Sequence, residues 1–177
     1  MSGLEQRVVL TGDDGGLGPL LRIADDRLDP GAGYGRHAHR AVDVVAVVLS
    51  GTLHHRWDGD VPMAAGDVAV LRAGSGLDHD EVAGDDGARV LQCYLRSAEA
   101  AADPRHDVHR GAAGWLDLGR DDARLWIGRA PGEVPPGLLV LRGSDRVVVE
   151  QQDGRAVDEP GLALVWELDT GRPSWAV

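Results

Sequence analysis

The chain has 177 residues, 43% of them hydrophobic, and a formal net charge of −11. That length suits one ordinary domain or two small fused halves, and the apolar content excludes disorder for most of it. The acidic balance argues against a nucleic-acid or anionic-membrane partner, and no apolar run is long enough to span a bilayer.

Short Val- and Leu-rich runs between Gly and Asp punctuation give the rhythm of an all-β protein, a sandwich or barrel. The segment before the first run, Met1–Arg7, starts with charge and has no apolar core, so a cytoplasmic protein is expected. Val8–Leu10 and Leu20–Ala24 read as strands, separated by the turn Thr11–Gly16. Asp29–Gly35 reads as a loop. Arg36–Ser50 follows, apolar over its second half, with a turn at Ser50-Gly51. Thr52–Trp57 and Val61–Met63 flank the hairpin turn Asp58-Gly59-Asp60. Val68–Leu71, Leu77–Val82 and Arg89–Arg96 are further strands, the first two joined through Ala73–Gly76. Ser97–Ala102, stopped by Asp103-Pro104, is the one helix-prone stretch.

The second half repeats the first at an offset of roughly ninety residues, the scale of a duplicated domain. Val45–Gly51 resembles Leu138–Gly143, Asp58-Gly59-Asp60 resembles Asp153-Gly154-Arg155, and Gly66–Leu71 resembles Gly161–Trp166. The expected organisation is residues 1–96, a linker over 97–110, and a second half over 111–177. No histidine follows His109, so only the first copy keeps metal-type donors.

His37-Ala38-His39 and His79-Asp80-Glu81 carry the chemistry. Residues two apart on a strand point to one face, so two such strands side by side would bring three imidazoles and a carboxylate to one point. That is a ligand set for one divalent transition metal with room left for a substrate. Fe(II) fits it best, and Ni, Mn, Cu or Zn fit the same donors. Glycine-rich turns precede each pair, letting the backbone bend beside a crowded site. On an unbroken strand Asp43 shares the face of His37 and His39, and Val45, Val47 and Leu49 continue it. Of His54 and His55 one points inward, and His55 is the candidate; it and Asp43 are candidates for contact with the ligands or substrate. His106 and His109, after Pro104, read as loop residues. Cys93 is the chain's one cysteine, which excludes an internal disulfide; in an apolar strand it reads as a buried inert thiol. The five tryptophans read as core.

The motifs together resemble the pirin family of the cupin superfamily. Leu21–Asp26, Gly33–Arg40 and Leu49–Arg56 resemble its first motif; Gly66-Asp67-Val68 and Ala73–Glu81 resemble its second. The likeness is best over residues 20–96, and the aromatic-rich lead segment of the family is replaced here by a short, bare one. The resemblance implies two tandem cupin-like β-barrels (each a double-stranded β-helix), the C-terminal one degenerate and shortened. It implies metal ligation by His37, His39, His79 and Glu81. Position 43, usually Glu in the family, is Asp. The implied activity is a non-haem dioxygenase of quercetin 2,3-dioxygenase type, acting on a flavonol-like or otherwise enolisable small molecule, with Glu81 as ligand and proton acceptor. Two alternatives stand beside it: a metal- or redox-sensing regulator that binds another protein, and a non-redox lyase, isomerase or cyclase using the metal as a Lewis acid. The second copy ends soon after Trp175, so a last strand is expected to be absent or supplied by a partner chain, in a homodimer or with another protein.

Overall fold

The computed structural model describes residues 3–12, 16–143 and 146–171. Trp175, Met1 and Ser2, and Asp13, Asp14 and Gly15 of the expected first turn lie outside the described residues. Among the described residues the chain is all-β. The strands are Leu4–Thr11 (β1), Leu20–Leu28 (β2), His37–His39 (β3), Val42–Trp57 (β4), Gly59–Ala64 (β5), Val68–Arg72 (β6) and Leu77–Arg96 (β7). They continue with Arg105–His109 (β8), Gly114–Leu116 (β9), Ala123–Val134 (β10), Gly137–Arg142 (β11), Val147–Gln152 (β12) and Arg155–Leu168 (β13). No helix among them is long and apolar enough to cross a membrane.

The helix expected over Ser97–Ala102 is absent. Six residues close too few hydrogen bonds to offset helix nucleation. The segment instead makes one turn, Ala102 N–H to Glu99 C=O at 3.1 Å, and its ends are held by other backbone: Ser97 N–H donates to Ala41 at 3.2 Å and Ser75 N–H to Ala102 at 2.8 Å. The residues just beyond, expected as linker, form β8 and pair antiparallel with β6.

The chain forms two compact units, Met1–Val8 with Arg22–Gly111, and Val9–Leu21 with Ala112–Val177. In the first, the strand order is β1-β2-β7-β4-β6-β8, with β3 on β7 and β5 on β4. The two long strands β4 and β7 run antiparallel along their whole length, with register shifts between Val48 and Ser50 and between Gly51 and Leu53. Extra residues of this kind bend a strand. Gly51 has φ +72°, and a Cβ there would lie 2.1 Å from the Gly87 carbonyl oxygen, so the bend needs glycine. The bend is sharp: Gln92 hydrogen-bonds Glu81, eleven residues earlier on β7, at 3.0 Å. An extended strand would hold those residues about 36 Å apart. The sheet thus folds over its own inner face. There Leu28, Ala46, Val48, Leu53, Met63, Ala69, Ala83, Ala88 and Val90 pack into one apolar cluster.

The second unit is a five-stranded sheet in the order β12-β11-β13-β10-β9. Its inner cluster is Ala130, Val134, Leu139, Leu141, Val157, Ala163 and Val165, with Trp126 packed against it.

Candidate metal centre

Residues directly opposite on antiparallel neighbours share a face, so the register states which side chains meet. His37 lies opposite His79, and His39 opposite Leu77. His55 lies opposite Glu81, Val44 opposite Tyr94, and Ala46 opposite Gln92. Leu71, which faces Val44, lies opposite His106. All of these belong to the inner face.

The three imidazoles converge. His37 Nε2 is 3.0 Å from His39 Nε2 and 3.1 Å from His79 Nε2. One ligand atom from each lies within 4.8 Å of the others. His37 Nδ1–H donates to the Gly35 carbonyl at 2.8 Å, which leaves the lone pair of the neutral ring on Nε2, aimed at the other two. Burial pushes His79 down to about 4; Glu81 opposes the shift, and the neighbouring histidines add to it. Burial and His37 also lower His39. Neutral imidazoles are the form that ligates a metal. Three such nitrogens, with no proton donor between them, fit a divalent transition metal better than a hydrogen-bond network, which would need a donor in each gap.

Glu81 stands beside this cluster. It is 2% exposed, and its Oε1 is 2.6 Å from His55 Nε2. Gln92 Nε2 donates to both carboxylate oxygens, at 3.0 and 3.1 Å. Burial raises the carboxyl, but the charge and hydrogen bond of His55, the charge of His79 and the Gln92 donation outweigh it and hold Glu81 at about 2. His55 Nδ1 is 3.2 Å from His106 Nε2, and the two rings stack with centroids 5.1 Å apart. Burial, with His55 beside it, lowers His106 to about 4.

A third group lines the same face. Gly33 bridges to Val82, and a Cβ there would sit 2.4 Å from the Glu81 carbonyl oxygen, so glycine permits the close approach that seats Tyr34. Tyr34 N–H donates to the Glu81 carbonyl at 3.1 Å. Its hydroxyl donates to Asp26 Oδ2 at 2.8 Å, which also receives Gln6 Nε2 at 3.2 Å.

Of the sequence candidates, the structure brings His37, His39 and His79 together and places Glu81 and His55 against each other next to them. His54 faces the other way and meets Asp60 at 2.9 Å. Asp43 does not join the site. The strand is broken between β3 and β4, where Ala41 has φ 54°, and the parity of facing resets there. Val44, not Asp43, packs on the inner face with Leu71 and Leu77, near Tyr94. Asp43 is buried on the opposite face, across from Leu95. Val45 and Val47 follow it there, across from Cys93 and Leu91. Cys93 is buried, and burial pushes its thiol well above the ordinary range. His106 was read as a loop residue because Pro104 precedes it; it is a strand residue, and its alternation with Val108 is the signal that finds it. His109, three positions on, faces the opposite side. Asp26, Tyr34 and Gln92 lie on no motif, and only the fold assembles them.

Residues 14–95 match the Pirin family model. The chain is 27% identical over 99 residues to the quercetin 2,3-dioxygenase of Escherichia coli (strain K12), a stretch covering 54% of this chain and 43% of that one. It is 32% identical over 94 residues to pirin-like protein 2 of Arabidopsis thaliana, covering 51% of this chain and 29% of that one. The matches thus span less than half the length of these curated relatives. Among solved structures, the bacterial pirin YhhW of Escherichia coli, in complex with nickel(II), superposes with a TM-score of 0.73 at 19% identity, covering 95% of this chain and 93% of that one. A quercetin 2,3-dioxygenase from Acinetobacter baumannii gives a TM-score of 0.68 at 15% identity, covering 96% and 82%. At these identities the likeness carries the fold, which is cupin-like throughout. Through residues 14–95, the chain belongs to the pirin family.

Proposed function

We propose that the first unit holds one divalent transition metal and is a dioxygenase centre of quercetin 2,3-dioxygenase type, acting on a flavonol-like or other enolisable small molecule. The observation that carries this reading is the convergence of three imidazole Nε2 atoms beside a buried carboxylate that is itself paired. The names of the relatives agree with it. His37, His39 and His79 would hold the metal, and Glu81 would complete the set by a side-chain rotation away from His55. The metal, Fe(II) foremost, would supply Lewis acidity toward the enolic oxygen of the substrate and a redox couple for dioxygen.

The chain's own residues handle the proton. The Glu81 carboxylate accepts it from the substrate hydroxyl. His55 Nε2, 2.6 Å away, shares it. The stacked His106, half-buried, continues the path from His55 Nδ1. Gln92 keeps the carboxylate aimed inward through its two donated hydrogen bonds. The test is to load metal-free protein anaerobically with Fe(II) and follow oxygen uptake with flavonols and other enolisable ketones. Uptake that needs both Fe(II) and an enolisable compound is the expected result. No uptake with any of them overturns the dioxygenase reading, and substrate turnover with Zn(II) and no oxygen would point to a lyase or isomerase instead.

A further inference from the structure

Beside the histidine cluster the inner face carries polar atoms that nothing in the chain satisfies. Asp26 is 1% exposed and Gln92 0% exposed. Asp26 Oδ1 and Gln92 Oε1 are both buried without a hydrogen-bond partner among the described residues, as is Arg22 Nε. Leaving a buried acceptor unpaired is costly, so such an atom in a folded protein calls for an occupant. The three residues sit on two neighbouring strands, β2 and β7. They also share one face. Tyr94, opposite Val44 on the inner face, lies under the Arg22 guanidinium at 5.7 Å, and Gln92 reaches Glu81. On β2 the alternate residue Asp25 faces away, into a bidentate pair with Arg89 at 2.7 Å. Asp26 is also fixed in place: Tyr34 and Gln6 both donate to its Oδ2, leaving Oδ1 as the open acceptor.

Two open acceptors need hydroxyl hydrogens, and the open guanidinium nitrogen needs an acceptor. We propose that Asp26 and Gln92, with Arg22, form a recognition wall for a hydroxylated ligand, one whose chelating oxygens sit at the histidine cluster while a separate hydroxyl donates to Asp26 Oδ1. The inference rests on the metal-centre reading above and adds to it the class of substrate: a chelating enol or phenol that carries at least one further hydroxyl away from its chelating atoms, with a carbonyl or phenolate oxygen for Arg22. Asp26 is here a specificity residue, remote from the reacting atoms.

The test uses two probes with the same 3-hydroxy-4-keto chelating pair, quercetin and its 3′,4′-dimethyl ether. The full chain is loaded with Zn(II) at pH 8 without oxygen, so that binding is read without turnover, by quenching of tryptophan fluorescence. Wild-type protein is expected to bind quercetin about 10-fold tighter than the ether, the scale of one hydrogen bond to a charged acceptor. Asp26→Asn keeps an oxygen for Tyr34 and Gln6 and turns a donor toward the ligand. It is expected to bring the two affinities within about twofold of each other, at unchanged metal content and unchanged affinity for the ether. Tyr34→Phe, which frees Asp26 to rotate, should shrink the preference in the same direction and serves where Asp26→Asn does not fold. Equal affinities in wild-type protein overturn the wall and leave the metal centre standing, as does a preference that persists in both variants. Failure of wild-type protein to take up metal overturns the metal centre, and the wall falls with it.

Discussion

The two units share a strand arrangement and differ in what their inner faces carry. In the first, the opening half of β4 pairs antiparallel with β6; in the second, β11 pairs antiparallel with β13 in the same way. Between β11 and β13 the inner residues are Leu139, Leu141, Ala163 and Val165, all apolar. In the first unit that apolar cluster coexists with three imidazoles, a carboxylate and a half-satisfied polar wall. All seven histidines of the chain lie in the first unit. The comparison separates what the frame requires from what has been set into it. Alternating Val, Leu and Ala suffice to close such a sheet, so the donors of the first unit are not there for stability. Buried neutral histidines and a buried carboxylate cost desolvation that an apolar interior avoids.

The largest expected effect breaks this comparison at the site. His79→Ala or His37→Ala should reduce metal content, measured by elemental analysis after reconstitution, from about one per chain to near zero. The far-ultraviolet circular dichroism should stay that of a β-protein, because the apolar cluster of the first unit contains neither residue. His109→Ala, on the opposite face, should change neither. Glu81→Gln comes next. It keeps the size and the Gln92 contact but removes the proton acceptor, so oxygen uptake should fall by about 10² to 10⁴. Retained activity in that variant would assign the proton to another group.

Much of this site was legible before any fold was known, for a simple reason. Two residues spaced i, i+2 on a strand share a face whatever the rest of the chain does, so the two histidine-bearing motifs needed only to be neighbours. The register of His37 against His79 supplies that. What was not legible depends on breaks in that local rule. Asp43 was placed by parity across a strand that in fact stops at His39 and restarts at Val42, and one left-handed residue, Ala41, reverses the facing of everything after it. A propensity reading cannot see this, because Ala41 is held by tertiary backbone bonds, to Gly74 at 2.9 Å and from Ser97 at 3.2 Å. Gln92 escaped for a related reason. Its partner Glu81 is on the same strand, and only the bend near Gly51 and Gly87 closes that distance. The Ser97–Ala102 segment shows the reverse error, where composition favours a helix but the length cannot sustain one.

The second unit offers a sharper cut. Leu139→Ala empties a fully buried position of its core and should cost about 2–5 kcal/mol, read from the denaturant midpoint. Metal uptake per folded chain should be unchanged, since every metal-type donor of the candidate centre lies in the other unit. Loss of metal uptake in folded Leu139→Ala protein would mean that the second unit supports the site and is not merely a frame without one.

The smallest effect concerns acid. His79 and His106 are both lowered from an ordinary 6.5 to about 4, burial being the main cause in each. In the unfolded chain these rings take up protons near pH 6.5, while in the folded protein they stay neutral until about pH 4. Between those values the unfolded state binds more protons, so folding stability falls as the pH is lowered. The contribution is complete above pH 6.5 and is lost on descent through about 4. Metal-free protein should therefore keep a constant denaturant midpoint from pH 8 down to about 7 and lose it progressively below 6.5. His106→Gln removes one of the two titrating rings without touching the imidazole cluster, so its midpoint should fall less steeply over the same interval. Adding a divalent metal changes the picture at His79 alone, because a ligating nitrogen must compete with protons while His106 goes on titrating. A His106→Gln slope equal to that of the wild type would mean that the ring stacked on His55 is already open to water in the folded protein. The path drawn from Glu81 through His55 would then end at solvent there.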